Sequence, residues 1–157
     1  MILRTYEPED FREVTTLFYE TVHQINRADY SQEQVNAWAP DDMDYDGWHE
    51  SLLEHETVVA VENGILVGFG DMDEKGYLDR LYVHKDYQRR GIAAAICEEL
   101  EQRVASDRYY THASITARSF FEKRGYCVTQ ENRVCRRDVW MTNYTMEKMQ
   151  RINEREG

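Results

Sequence analysis

Apolar residues recur along this chain with two different periods, and the switches between them mark its elements. Ile2 to Tyr6 alternates and predicts a short opening strand. Pro8, Glu9 and Asp10 then read as a helix first turn, with proline at the start and acids on the positive end of the dipole. Phe11, Val14, Leu17, Phe18, Thr21, Val22 and Ile25 return every three or four residues and give that helix one buried face. Ser31 with Gln34 three positions on is a capping-box signal for a short helix carrying Val35 and Trp38, which Pro40 ends. Asp46 is expected to cap another, with Trp48, Leu52 and Leu53.

From Thr57 the period becomes two. Thr57 to Val61 is a β-branched strand, Asn63-Gly64 a hairpin turn, and Ile65 to Asp71 the returning strand. A turn at Asp73–Gly76 leads to Tyr77–Val83, whose simple alternation puts Tyr77, Asp79, Leu81 and Val83 on one face. After a loop from His84 to Arg90, Ile92, Ile96, Leu100 and Val104 step through a helix. Tyr109–Ile115 predicts a strand, and Ala117–Arg124 a short helix stopped by Gly125. Two closing strands are expected near Tyr126–Thr129 and Met141–Glu147, with Arg133–Asp138 irregular or hairpin-like between them. No repeat or linker interrupts the pattern, so residues 1–157 are expected to form one α/β domain.

Length and composition narrow the function. At 157 residues, 41% hydrophobic, the chain is long enough for a core without disulfides or metal. No apolar run spans a membrane, and the first residues lack the basic flank and apolar stretch of a signal peptide, so the cytoplasm is the expected compartment. Cys97, Cys127 and Cys135 are expected to be reduced thiols, and no Cys/His spacing matches a zinc site, so no metal is expected. A net charge of −11 disfavours a nucleic-acid binder. Thirteen acids and no Lys or Arg lie between Ala28 and Glu74. That stretch is either a solvated surface or a wall that attracts a cationic ligand. Lys85, Arg89 and Arg90 form the opposite pole.

The densest chemistry lies where a strand passes through a glycine into a helix: Leu81-Tyr82-Val83, then Gln88-Arg89-Arg90-Gly91-Ile92-Ala93. Backbone N–H groups at such a helix start can close on an anion, and arginines beside it add charge-assisted bonds. A Walker loop is excluded because no Gly-Lys-Ser/Thr follows, and a dinucleotide fingerprint because its further glycines are missing. The segment resembles the pyrophosphate loop of the GCN5-related N-acetyltransferase (GNAT) superfamily, Gln/Arg-x-x-Gly-x-Gly/Ala. A second block, Ser114 through Tyr126, is similar to another of its motifs at Ala117, Phe120, Glu122, Lys123 and Gly125. The resemblance covers nearly the whole chain.

The resemblance implies a mixed, largely antiparallel sheet of about six to seven strands flanked by helices. It implies acetyl-CoA as co-substrate, held along Leu81, Tyr82 and Val83, by Gln88, Arg89, Arg90, Gly91, Ile92 and Ala93, and beside Phe120 and Phe121. The implied reaction is direct acetyl transfer to a primary amine, a small molecule or a lysine, in a ternary complex. Asp79 is the candidate base, or else a strand carboxylate paired with an arginine; Tyr77 is a poor base, and His23 and His112 are in reserve. Phe121 and Ser114 depart from the family's tyrosine and asparagine. Phe121 removes the usual proton donor to the leaving thiolate, for which Tyr144 or water could substitute. The same departure supports an alternative, an acetyl-CoA-binding sensor or pseudoenzyme. Tyr30 and Trp38, with Trp48, are candidate acceptor contacts or core anchors. The base-free acidic stretch points to a cationic acceptor. A homodimer is compatible with the family's exposed strand edges.

Overall fold

The computed structural model describes residues 1–149. Strand β1 (Ile2–Thr5) is followed by a 3-10 turn (Pro8–Asp10) and helix α1 (Phe11–Gln24). A second 3-10 turn (Asn26–Ala28), α2 (Gln32–Trp38) and α3 (Asp46–Glu54) complete the helical third. Then come β2 (Glu56–Glu62), β3 (Ile65–Met72), β4 (Tyr77–Val83), α4 (Ile92–Arg103), β5 (Arg108–Ser114), α5 (Arg118–Lys123), β6 (Cys127–Arg136) and β7 (Val139–Met149). The strands form one seven-stranded sheet in the order β1-β2-β3-β4-β5-β7-β6. Only β4 and β5 are parallel. This is the mixed, largely antiparallel architecture that the family resemblance implied.

Local chemistry sets the elements. Asp10 caps back onto the Glu7 N–H and takes both arms of Arg4, at 2.8 and 2.9 Å, which ties β1 to the first helical turn. Val14, Leu17, Phe18, Thr21 and Val22 are the buried stripe of α1. The Ser31 hydroxyl accepts from the Gln34 N–H and the Gln34 side chain accepts from the Ser31 N–H, closing the expected capping box. At α3 the cap shifts by one: Tyr45 is the N-cap, and Asp44 accepts from the Asp46 N–H at 3.0 Å.

Two cores sandwich the sheet. Ile92, Ile96, Leu100 of α4 and Phe121 of α5 pack with Val58, Ala60, Val67 and Leu78 on one face. Helices α1 to α3 bring Val14, Phe18, Val35 and Leu52 onto Val59, Phe69 and Met141 on the other. The first face needs Gly70: a Cβ there would lie 2.9 Å from Ile96 Cγ2 and 3.1 Å from the Arg80 carbonyl.

Two expectations change. The final hairpin is continuous: β6 runs to Arg136, and the turn is Arg137-Asp138, both at positive φ (49° and 64°). An arginine in that conformation carries no turn signal in sequence. The alternation along β4 also breaks. Asp71 pairs with Arg80 but Met72 pairs with Leu78, so Asp79 is an inserted, bulged residue. Leu81 and Val83 therefore pack toward α4, whereas Asp79 does not share their face.

Candidate active site

The bulge in β4 sits where the sheet opens. β4 pairs with β5 only at Tyr77–Tyr110 and Leu78–Thr111. The Thr111 hydroxyl donates to the Leu78 carbonyl at 2.8 Å and closes that junction. Beyond it the two parallel strands separate, and the edge of β4 from Asp79 to Val83 has no described strand partner. A parallel pair that splays exposes backbone donors and acceptors that an extended ligand can use as an added strand.

A cleft of about 210 Å³ lies at this opening, on the face covered by α1 and α2. Tyr30, Trp38 and Asp79 all line it, so the structure gathers three of the sequence candidates. Tyr77, Tyr82, His112, Ser114, Arg136 and Asn143 complete its polar wall. None of the thirteen acids between Ala28 and Glu74 lines it. Those acids serve elsewhere: Asp41 accepts from the Tyr19 hydroxyl, and Asp42 pairs with Arg137 at 3.0 Å.

Asp79 keeps 35% of its side chain open to solvent and contacts Arg80 at 3.1 Å. Asp79 thus both lines the cleft and pairs with an arginine. Desolvation in the concave wall pushes its pKa up; the Arg80 charge opposes this, and nearby Asp71 adds to it. Arg80 is itself anchored in the core. It donates to both oxygens of the fully buried Asp71 at 3.0 and 2.8 Å and to the Ser51 hydroxyl at 2.5 Å, and lies over the Trp48 ring. His55 bonds the same carboxylate at 2.7 Å. Carboxylate and imidazole ligand atoms of His55, Asp71 and Asp79 lie within 4.8 Å of one another. The cation that bridges the two carboxylates is the Arg80 guanidinium.

Tyr30 anchors more than it offers. Its hydroxyl donates to the Thr142 carbonyl at 2.7 Å and accepts from the Ile115 N–H at 2.9 Å, and Trp38 packs edge-on against its ring. Tyr77 meets His112 across a 3.2 Å hydroxyl–imidazole contact, and burial raises the Tyr77 pKa to about 12, so it stays a neutral phenol. His23 lies outside the cleft lining, stacked on Tyr19 and bonded to the Ala39 carbonyl.

The glycine loop lies at the start of α4. The Gln88 side chain staples it by donating to the Val83 carbonyl at 2.7 Å, a carbonyl that the Thr21 hydroxyl also reaches. Gly91 is the helix N-cap at φ 78°, with no side-chain cap, and a Cβ built on it meets nothing within 4 Å. No side chain caps the first-turn N–H groups of α4, and the helix dipole lies behind them. Arg89 and Arg90 are exposed beside it; Arg90 lies over the Tyr87 ring and 3.9 Å from Glu62. Phe121 is buried edge-on between Phe120 and Tyr126. Tyr144 is half-buried on this same face, under the Arg118 guanidinium, and does not line the cleft with Asp79.

A family model for the acetyltransferase (GNAT) domain matches residues 26–148. The chain belongs to the GNAT acetyltransferase family. It is 37% identical over 145 residues to the uncharacterized N-acetyltransferase YafP of Escherichia coli K12, covering 92% of this chain and 93% of the relative. Its fold superposes on the GCN5-related N-acetyltransferase of Rhodopseudomonas palustris with a TM-score of 0.90 at 33% identity, over 95% of each chain. The Thermoplasma acidophilum PaiA N-acetyltransferase, solved with coenzyme A, has the same fold at TM-score 0.75 and 18% identity, over 95% of this chain and 98% of that one.

As a GNAT protein the chain is an acetyl-CoA-dependent N-acetyltransferase, and its residues suit that co-substrate. The uncapped α4 N-terminus can take a pyrophosphate, and the free edge of β4 an extended arm. No helix among the described residues is long and apolar enough to cross a membrane. Sequence reasoning did not single out Arg136, Asp71, Arg80 or His55 as site residues. The Asp71–Arg80 pairing was within reach, since both flank the Asp73–Gly76 turn. Arg136 carried no signal.

Proposed function

We propose that this GNAT protein transfers the acetyl group directly to the primary amine of a small acceptor, with both substrates bound at the β4–β5 opening. The observation that carries the reading is the opening itself. The anion-ready helix start and the free β4 edge lie toward α4, and the Asp79 cleft lies toward α1 and α2. Two substrates entering from the two faces would meet between the strands, and that juxtaposition supplies much of the rate. Acetyl-CoA supplies the thioester-bound acetyl group. The N–H groups of Gly91, Ile92 and Ala93 would hold its pyrophosphate, with Arg89 and Arg90 beside them, and the Leu81–Val83 edge its arm; the Val83 carbonyl is already taken by Gln88 and Thr21.

An alkyl amine arrives protonated and must lose its proton before attack. Asp79, with its pKa raised by desolvation, is the carboxylate positioned to receive that proton and pass it to water at the mouth. Tyr144 is on the opposite face, where the thiolate would leave, and is our candidate acid there in place of Phe121. The acceptor's cationic character is confined in this reading to its ammonium, because the acidic third does not line the cleft.

Thiol release with a panel of amines tests this. Asp79→Asn is expected to lower kcat by about 100-fold or more while acetyl-CoA still stabilises the protein. Acetyl-CoA and CoA at 100 times their dissociation constant should each add about 2.7 kcal/mol, roughly 5–10 °C in Tm, and ATP nothing comparable. Full turnover in Asp79→Asn removes Asp79 as base. A cofactor shift without turnover on any amine favours the sensor alternative, which Phe121 supports.

A further inference from the structure

The cleft holds charges of both signs, and only one has a counter-ion. Asp79 is paired with Arg80. Arg136, at the end of β6, lines the same cleft, and its side chain has no ion pair, hydrogen bond or ring partner among the described residues. Its neighbours on that strand and turn are occupied: Arg133 lies over Trp140, and Arg137 holds Asp42. Arg136 is exposed to solvent and lines the cleft together with Tyr30 and Tyr82. The Tyr82 hydroxyl donates to no described acceptor. Burial raises the Tyr82 pKa, which keeps that proton in place. The Tyr30 hydroxyl, by contrast, is satisfied by backbone on both sides.

A guanidinium with five donors and a phenol O–H that donates to no described acceptor line one cleft whose only carboxylate is Asp79, a set of groups suited to an oxyanion. We propose that the acceptor of this transferase is a small amine that also carries an oxyanion, and that Arg136 and Tyr82 bind this anion while its ammonium meets Asp79. The proposal rests on the transferase reading above and names its substrate class. Asp79 and Arg136 line one cleft of about 210 Å³, so a small acceptor is the size that would meet both. A long polycation would bring a second ammonium against Arg136 and is disfavoured.

The test compares 4-aminobutyrate and O-phosphoethanolamine with butylamine and 1,4-diaminobutane as acceptors, by thiol release, in wild type, Arg136→Gln, Arg136→Lys and Tyr82→Phe. The expected result is a kcat/KM for at least one anionic acceptor about tenfold or more above both uncharged-tail and diamine acceptors. That preference should collapse in Arg136→Gln through KM, survive in part in Arg136→Lys, and weaken in Tyr82→Phe. Whichever of the carboxylate and the phosphate shows it identifies the oxyanion. A Tm shift by the same two anionic amines in the presence of CoA, present in wild type and lost in Arg136→Gln, reads the anion site without turnover. That shift without any thiol release would keep the anion site and overturn the transfer. Equal or better use of butylamine or diaminobutane, with the same ratio in Arg136→Gln, would overturn the anion site and leave the transfer standing. Absence of both the shift and the preference overturns the proposal.

Discussion

Replacing Asp71 by Asn should destabilise this protein more than any other single carboxylate change. Asp71 has no solvent-exposed surface and takes three strong bonds, two from Arg80 and one from His55. The asparagine keeps the shape but withdraws the negative charge that holds the Arg80 guanidinium, itself 9% exposed. Arg80 would be left with Asp79, which is partly solvated and at 3.1 Å. Stranding one member of a buried pair costs about 3–5 kcal/mol. For a chain of this length, that is a fall in Tm of roughly 6–20 °C. Asp86→Asn, 69% exposed and approached by Lys85 at 3.9 Å and His84 at 4.0 Å, serves as the control and should move stability by less than about 0.5 kcal/mol. Calorimetry or urea titration at pH 7 on both variants reads the difference. The double change Asp71→Leu with Arg80→Met should recover part of the loss, because no core charge is then unpaired. If Asp71→Asn melts within about 2 °C of wild type, the network contributes little net stability and the reasoning fails.

Three further outcomes follow from other contacts. The hydrogen bond to Asp71 raises the His55 pKa in the folded state, so the stability it contributes is fully present below about pH 6.5 and is lost as pH rises through the folded value. Urea titrations at pH 5.5 and 8.5 should show wild type losing its advantage over His55→Gln on the alkaline side, and a pH-independent gap would contradict this. Gly70→Ala forces a methyl to within 2.9 Å of Ile96 Cγ2 and 3.1 Å of a backbone oxygen, and should cost about 1–3 kcal/mol in denaturant titration. Tyr30→Phe leaves the Ile115 N–H and Thr142 carbonyl without their partner; a loss of about 2 kcal/mol is expected, and an unchanged midpoint would mean water replaces the hydroxyl.

The sequence made most of the elements legible because each is specified within a few residues. Ser31 and Gln34 satisfy one another, Asn63 and Gly64 turn one hairpin, and the stripe from Val14 to Val22 is buried as its spacing required. What periodicity misses is a change of phase. The bulge at Asp79 adds one residue to β4, and every alternation count across it is then wrong by one face. The same limit applied to the acidic third. Thirteen acids adjacent in sequence suggested a charged wall, but the cleft is assembled from β4, β5, β6, β7 and the α2 region, and only Asp79 supplies a carboxylate. Net charge along a chain constrains a site only when the fold brings that stretch to it. Arg136, from a strand the sequence left partly irregular, is the counter-example.

The bulge also explains why Asp79 and Arg80, adjacent residues on one strand, do different work. On a regular strand they would point to opposite faces, one into each core. With the extra residue, Arg80 turns inward beneath α3 to Asp71, Ser51 and the Trp48 ring, while Asp79 is set at the rim of the opening yet still within 3.1 Å of the Arg80 guanidinium. A buried cation held by a second carboxylate is a fixed support, so Asp79 has a defined position without being neutralised by an exclusive partner of its own. Desolvation then outweighs the arginine, and its pKa rises rather than falls. A carboxylate that relays a proton at a cleft mouth needs that combination: held in place, open to water on one side, and with its pKa raised rather than lowered. Removing the support is therefore predicted to act on catalysis as well as stability. Arg80→Met at a temperature where it remains folded should reduce kcat with little change in the Tm shift given by CoA, and an unaltered kcat would separate the bulge from the chemistry.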